Sequence, residues 1–571
     1  MGRRSATFVE LLRQRAQDRG DEEAITFLGH DEAEAGRLSF GDLDRRARSI
    51  AAGLQALGLE GERALIAFPP GVDCIAGLYG CLYAGVIPAT SPAPDPRREL
   101  AAPRIRKVAT DAEPRAVLTT LGVEPAIREV LSGHPSGDVR FLVTDTPEIG
   151  DAEDWREPGL SGDDVALLQY TSGATRLPRG VVVTHANLLE NCAHIDRAFS
   201  FGDGDRVALW LPPFHDMGLI GSVFQPVASG VPAVLLAPAT FLTDPMSWLR
   251  AISRHRATVA GGPDFAYDLL VRRTNPAQRA SVDLSSWELA FNGAELVHAE
   301  TMEAFSEAFA PAGFRREAFY PCYGLAEATL MVTGGRRLDG AVVREADAAA
   351  LDQGLFVPPS GDGRAKPVVG CGRPTPDSRV LVVDPDTATE RAHGEVGEIW
   401  VSGSSVSAGY WNREAETTAT FEATLAESNQ GPFLRTGDLG FIADGELFVT
   451  GRIADLIAVG ERVLYPTDIE AACTDAVPAL RTGGAAAFTI EREGDEQVAL
   501  VAEVREGTGA HGEVITAVRM ALSQRFELDP AAIVLIEPRT LPRTTSGKVQ
   551  RARCRSLLLK GGLETVARWP S

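Results

Sequence analysis

Short apolar runs alternate with amphipathic stretches through most of the chain. Residues 8–18 carry apolar positions near helical spacing, and Gly20 is placed to end that helix. Ser39-Phe-Gly-Asp42 has the form of a capping box and opens a helix over 43–57, stopped by Gly58. Residues 63–68 read as a short buried strand, and 72–83 as a helix leading to Gly85-Val-Ile-Pro88. Further apolar runs lie at 116–120, 141–144, 165–170, 206–211 and 233–236, with helical patterns between most of them. Strands alternating with helices predict a largely parallel, doubly wound α/β architecture. From Gly394 the strands are shorter and separated by turns, at 398–402, 433–435, 441–442 and 447–450. After Gly451-Arg-Ile-Ala-Asp455 the pattern is α+β: helix 467–474, strands 485–490 and 497–503, helix 512–526, strand 533–536. This shift places a boundary near residue 452, between a large domain, 1–452, and a small one, 453–571. Residues 338–367 lack clear periodicity and read as an inserted loop or small subdomain.

Composition narrows the class. The 571 residues are 44% hydrophobic and 23% charged, which fits a globular protein. No repeat of about 20–50 residues is present, so a solenoid is not expected. Lys and Arg total 56 against 78 Asp and Glu, a net charge of −22 that repels nucleic-acid backbones. The seven cysteines, at 74, 81, 192, 322, 371, 473 and 554, form no CxxC pair, so a reduced, cytoplasmic protein without structural zinc is expected. Met1-Gly-Arg-Arg leads into no apolar signal core, and Ala6 breaks the myristoylation pattern that Gly2 begins. The uncharged stretches 74–94 and 218–243 are interrupted by Gly and Pro, so neither spans a bilayer and no stable membrane association is expected.

The densest chemistry lies in Leu168-Gln-Tyr-Thr-Ser-Gly-Ala-Thr-Arg-Leu-Pro-Arg-Gly180, between a strand-like run and a helix at 186–198. Hydroxyls of Thr171, Ser172 and Thr175, with Gly173 and Gly180, make a donor-rich loop fit to wrap a polyphosphate. Arg176 and Arg179 would neutralise its charge. Taken alone, such a cluster is as often a surface turn. It is not a Walker A loop, because no Lys-Ser/Thr follows.

An ordered series of motifs decides between these readings. It comprises Trp210-Leu-Pro-Pro-Phe-His-Asp-Met-Gly-Leu-Ile220, Gly262-Pro-Asp-Phe-Ala-Tyr267, Asn292-Gly-Ala-Glu295 and Tyr323-Gly-Leu-Ala-Glu-Ala-Thr329. Gly409-Tyr-Trp-Asn412, Arg435-Thr-Gly-Asp-Leu-Gly440, Gly451-Arg-Ile-Ala-Asp455 and Thr545-Ser-Gly-Lys548 follow. Each is weak alone. Together they resemble the adenylate-forming superfamily of acyl-CoA ligases, peptide-synthetase adenylation domains and luciferases, over nearly the whole chain. The closer likeness is to the fatty acyl-AMP ligases. The stretch from Glu327 to Cys371 is longer than CoA ligases usually have. Its excess falls at 338–367, where that group carries an insertion thought to hinder the CoA-dependent step.

The resemblance implies a two-step ligase using ATP and Mg²⁺. A fatty acid becomes acyl-AMP, then passes to the phosphopantetheine of an acyl carrier protein in lipid, polyketide or lipopeptide biosynthesis. An acyl-CoA ligase, or a non-catalytic relative of the fold, are the alternatives. Lys548 would bridge the attacking carboxylate and the α-phosphate, with His215 as a second catalytic candidate. ATP and AMP would be held by Thr171, Ser172, Gly173, Ala174, Thr175 and Arg176, by Asn292, Gly293, Ala294 and Glu295, and by Tyr323, Gly324, Leu325 and Ala326. Tyr323 is expected against adenine, Asp438 and Arg452 at the ribose, and Glu327 on the metal. The acyl pocket would be formed by Phe214, His215, Met217, Gly218, Gly262, Asp264, Phe265 and Tyr267. Departures from the family pattern are Ala174 for Ser, Arg179 for Lys, and Ala454 at a hinge where Asp or Lys is usual. Arg539, Arg543, Lys548, Arg551, Arg553, Arg555 and Lys560, with no acid over 538–560, read as a docking face for an acidic carrier.

Overall fold

A computed structural model describes residues 5–94, 101–135, 139–146, 149–170, 178–360, 364–459, 462–492, 495–544 and 547–570. Local chemistry sets the first elements. Ser39 accepts from the Asp42 N–H at 3.0 Å, and Asp42 accepts from the Ser39 N–H at 3.1 Å. This reciprocal cap starts helix Phe40–Ala56. Helix Val72–Ala84 is buried along almost its whole length, touches strands of both large sheets, and packs closely on helix Phe40–Ala56. A side chain at Gly80 would collide with Ile50.

One large sheet has seven strands, in the order Phe319–Pro321, Leu289–Asn292, Val259–Gly262, Val207–Leu209, Ala233–Leu236, Glu23–Leu28, Glu34–Ser39. The other has six, in the order Arg140–Val143, Ala116–Thr119, Arg63–Ile66, Ile87–Thr90, Val165–Tyr170, Gly180–Thr184. Pairing is parallel except at Glu23–Leu28 with Glu34–Ser39 and at Val165–Tyr170 with Gly180–Thr184. Strand–helix alternation therefore gives doubly wound sheets. Residues 74–94 form part of a helix and strand Ile87–Thr90, and no helix among the described residues is long and apolar enough to cross a membrane.

Strands Ser378–Val383, Gly397–Gly403, Leu434–Ala443 and Glu446–Arg452 form an antiparallel sheet. The sequence pattern divides Leu434–Ala443 into two strands, whereas the fold joins them. Gly437 takes φ 70 and the register shifts between Leu439 and Gly440, so a bulge interrupts the alternation without ending the strand. The described part of residues 338–367 carries regular elements that their pattern does not suggest. Strand Val343–Asp347 pairs along its full length with Ala365–Val369, and helix Ala348–Asp352 lies between them. Ala346, Leu351 and Val368 bury against Phe441 and Phe448, with Phe356 stacked on Phe441 at 4.7 Å.

The apolar clusters change late in the chain: one large cluster extends from Phe8 to Leu447, and another begins at Ile457. The C-terminal sheet runs Leu480–Arg492, Asp495–Val504, Ala532–Ile536, Thr565–Trp569. Alternate residues of its strands face opposite ways. Ala485, Ala487 and Leu500 pack with helices Pro466–Ala476 and His511–Phe526, while Ala486, Phe488 and Val501 pack with Cys554 and Leu558 of helix Arg551–Lys560. Contacts that tie this unit to the rest include the following. Lys366 Nζ donates to Asp468 at 2.6 Å and sits 5.4 Å from the Tyr465 ring. Gly547, at φ 90, lies against Phe265, where an added Cβ would come within 3.0 Å of the ring.

Candidate active site

In open α/β sheets the carboxyl ends of parallel strands face the ligand. Here those ends carry the motifs: Val165–Tyr170 ends before the donor-rich loop, Val207–Leu209 before Trp210, Val259–Gly262 before Pro263, and Leu289–Asn292 at Asn292 itself. The loop residues Thr171, Ser172, Gly173, Ala174, Thr175 and Arg176 lie outside the described residues. Strand Gly180–Thr184 follows, and Thr184 caps helix His185–Phe199 through Asn187.

Three segments meet at Asp438. Its carboxylate accepts from the Tyr323 hydroxyl at 2.8 Å and from Arg452 Nε at 2.7 Å. Asp438 and Tyr323 are buried, while the Arg452 side chain stays exposed. Asp438 raises the Arg452 guanidinium further above its ordinary value. Gly324 has no room for a side chain against Leu330, and Leu325 and Ala326 are buried after it. Glu327, in the turn Ala326–Ala328, is half-buried and accepts from the Tyr410 hydroxyl at 2.7 Å. Among the described residues no arginine or lysine forms an ion pair with Glu327. It is therefore a hard-oxygen donor of the kind Mg²⁺ takes. Tyr410 in turn lies 4.6 Å beneath the Arg179 guanidinium.

Asn292 is fully buried, with Nδ2 donating to Asp264 at 2.9 Å and Oδ1 unpartnered. Gly293 passes so close to the Cys322 carbonyl that a Cβ would sit 2.7 Å from it. Ala294 takes φ 69, a conformation that costs an L-residue energy. Glu295 then accepts from the Phe265 N–H at 2.8 Å, and burial pushes its carboxyl up. His215 Nδ1 lies 2.6 Å from Asp216 Oδ1. Burial pushes the Asp216 carboxyl up, but His215 and Lys548 outweigh it and the net shift is down. Lys548 enters this cluster from the C-terminal unit. Burial lowers its ammonium, Arg452 acts in the same direction, and Asp216, Glu295 and Asp438 oppose.

A pocket lined by Trp210, Pro212, His215, Met217, Pro263 and Ala294 opens beside these groups. A second pocket, lined by Phe27, Cys74, Ile75, Val223 and Leu236 among others, shares Leu211 and Gly218 with it. Gly262 leaves a slot against Trp210, where a Cβ would meet the indole at 3.2 Å. Phe265 packs edge-on to Trp210 at 6.1 Å, and the Phe214 carbonyl accepts from Gln169 at 3.5 Å.

Several expected residues are engaged elsewhere. The Asp264 carboxylate accepts from Asn292, from Thr301 and from both the N–H and the ring of His298, so it anchors the Asn292–His298 turn instead of lining the pocket. Tyr267 lies in the aromatic core beside Trp248, Trp287 and Phe305, its hydroxyl on the Phe291 carbonyl. In the basic segment, Arg551 pairs with Glu470 at 2.7 Å and Asp455 at 3.3 Å, and Arg543 donates to the Gly483 and Gly547 carbonyls. Arg553, Arg555 and Lys560 are exposed. Ala454 is exposed in the turn Ile453–Asp455. Tyr410 was given no role by the sequence, although it stands inside the Gly409–Asn412 motif.

Comparison with known proteins places the chain among its relatives. The family model of the AMP-binding enzymes matches residues 12–411. The medium-chain-fatty-acid–[acyl-carrier-protein] ligase JamA of Moorena producens is 41% identical over 568 residues, covering 98% of this chain and 96% of that protein. The long-chain-fatty-acid–AMP ligase FadD26 of Mycobacterium marinum is 35% identical, covering 95% of this chain and 96% of that one. The structure of the fatty acyl-adenylate ligase from L. pneumophila in complex with acyl adenylate and pyrophosphate aligns with TM-score 0.76 at 36% identity, covering 99% and 98% of the two chains. The chain belongs to the AMP-binding enzyme family.

Proposed function

We propose that this protein is a fatty acyl-AMP ligase. It activates a fatty acid to acyl-AMP with release of pyrophosphate, then passes the acyl group to the phosphopantetheine thiol of an acyl carrier protein. The observation that supports it best is the convergence of Lys548 with Asp216, Glu295, Asp438 and Arg452, drawn from both units of the chain. JamA, a medium-chain-fatty-acid–[acyl-carrier-protein] ligase, and FadD26, a long-chain-fatty-acid–AMP ligase, point the same way.

In the first step the carboxylate oxygen bonds to the α-phosphorus, and the bond to pyrophosphate breaks. Lys548 stands where negative charge concentrates, and a fixed cation there favours the transition state over the separated reactants. Tyr323 lies against the adenine, and the Asp438 carboxylate accepts from the ribose hydroxyls with Arg452 beside it. The pocket beside His215 takes the acyl chain, which continues past Leu211 and Gly218 into the second one. Glu327 would hold Mg²⁺, which supplies charge neutralisation for the triphosphate and the leaving group. In the second step the C-terminal unit turns about residues 452–456, with Ala454 absorbing the backbone change, so that Lys548 withdraws and the carrier thiol attacks the acyl carbonyl, expelling AMP.

The test is incubation with ATP, Mg²⁺ and a panel of fatty acids, reading acyl-AMP by mass spectrometry, then offering phosphopantetheinylated carrier or CoA. Acyl-AMP followed by preferential carrier loading is expected. Absence of adenylate with every acid, or faster transfer to CoA, would refute the proposal.

A further inference from the structure

Helix Ala101–Ala112 holds Tyr170, the residue directly before the donor-rich loop, at two points. Asp111 accepts from the Tyr170 hydroxyl at 2.9 Å, and Arg104 donates to the Tyr170 carbonyl at 3.3 Å. The two charges are balanced differently. Asp111 is ion-paired with Arg413 at 2.6 Å, and Arg413 also pairs with Glu416 at 3.0 Å. Arg104 is largely enclosed, has no carboxylate acting on it among the described residues, and leaves its Nε without a hydrogen-bond partner. Burial without a counter-charge lowers its guanidinium below the ordinary value. The Phe214 ring lies 6.0 Å from its guanidinium carbon.

A cation in a water-poor position is costly unless an anion joins it. The surroundings indicate which anion. Phe214 adjoins His215, His215 is paired with Asp216, and Asp216 interacts with Lys548. Arg104 and Lys548 thus reach the same short segment. Lys548 is placed for the junction of carboxylate and α-phosphate, so the departing pyrophosphate calls for a protein cation of its own beside the Mg²⁺ that Glu327 would hold. A guanidinium offers planar, paired donors that match phosphoryl oxygens.

We infer that Arg104 is a further phosphate-binding residue, contacting the β- and γ-phosphoryl oxygens of ATP and the pyrophosphate that leaves. The inference rests on the adenylation reading above. No bond to Arg104 forms or breaks; it remains charged throughout.

The experiment compares wild type, Arg104→Gln and Arg104→Lys in ATP–pyrophosphate exchange, together with equilibrium binding of AMP and of inorganic pyrophosphate in the presence of Mg²⁺. For Arg104→Gln the KM values for ATP and pyrophosphate should rise tenfold or more, with the fatty-acid KM and the AMP affinity within twofold of wild type. Arg104→Lys should recover part of the loss, because it keeps the charge but not the fork. Should the Gln variant fail to fold, weaker pyrophosphate binding by the Lys variant decides for the inference, and wild-type binding decides against it. Unchanged ATP and pyrophosphate constants would overturn it. So would an equal loss of AMP affinity, which marks a residue that only shapes the fold, or a loss confined to the carrier KM, which moves the residue to the second step. A wild type without exchange activity would count against the adenylation reading, and pyrophosphate binding would still test Arg104 by itself.

Discussion

The Tyr323 hydroxyl and Arg452 Nε grip the two oxygens of one carboxylate, that of Asp438, at 2.8 and 2.7 Å. The same carboxylate is the proposed acceptor of the ribose hydroxyls, and a hydrogen bond to a charged group contributes about 1.5–3 kcal/mol. Asp438→Ala should therefore raise the KM for ATP by roughly 10–100-fold, since each 1.4 kcal/mol is about tenfold. Exchange kinetics measure this, and an unaltered KM would remove Asp438 from the nucleotide site.

Lys548→Ala tests the charge convergence directly. The loss of a fixed cation at the developing charge should slow acyl-AMP formation by about 10²–10³ or more. Transfer from chemically prepared acyl-AMP to carrier should persist, because the lysine serves the first step. Equal loss of both half-reactions would show that the variant disturbs the whole site.

The Lys366–Asp468 pair fastens residues 338–367 to the C-terminal unit. Both side chains are partly exposed, so the pair contributes at most about 1 kcal/mol. If rotation must break it, Lys366→Ala should leave adenylation unchanged and accelerate acyl transfer up to about fivefold. Stopped-flow transfer from bound acyl-AMP checks this. Slower transfer would mean that the pair supports the second step.

His185 gives the protein an acid-sensitive joint. It is 1% exposed, accepts the Phe8 N–H at Nδ1, and is lowered by burial to about 4, with Asp164 opposing. The unfolded chain, titrating near 6.5, binds more protons in between, so stability falls as pH drops from about 6.5 towards 4. The loss from this residue should approach about 2 kcal/mol between about pH 7.5 and about pH 5. Denaturant unfolding should show it in the wild type, with a shallower slope in His185→Gln. Identical slopes would assign the sensitivity to other groups.

With Arg551 and Arg543 committed to internal partners, the proposed carrier docking would fall to the exposed Arg539, Arg553, Arg555 and Lys560. The double variant Arg553→Glu/Arg555→Glu should raise the carrier KM several-fold, more at low salt, and leave acyl-AMP formation unchanged. A salt-independent carrier KM in the wild type would remove electrostatics from the encounter.

What could be read from the chain follows the range of each signal. The strands of the six-stranded sheet show as short apolar runs because most are buried on both faces. Strand Gly180–Thr184 was missed, since its three consecutive valines adjoin a loop and the next helix. Side-chain relations were less legible. Tyr410 and Glu327 are 83 residues apart, and Arg551 and Glu470 are 81, so no local pattern announces either bond. Asp264 fell in the right motif, yet only the fold shows its oxygens taken by four donors. Composition correctly marked 538–560 as basic, but it could not tell which cations were already spent inside the domain.

Gly547 carries no atom beyond its backbone to cushion its contact with Phe265, and Lys548 is the next residue. A displaced ring therefore pushes straight on the main chain that carries the ammonium. Any side chain at 547 would have to shift either that ring or the backbone beside the ammonium, so the glycine leaves no slack between the two units.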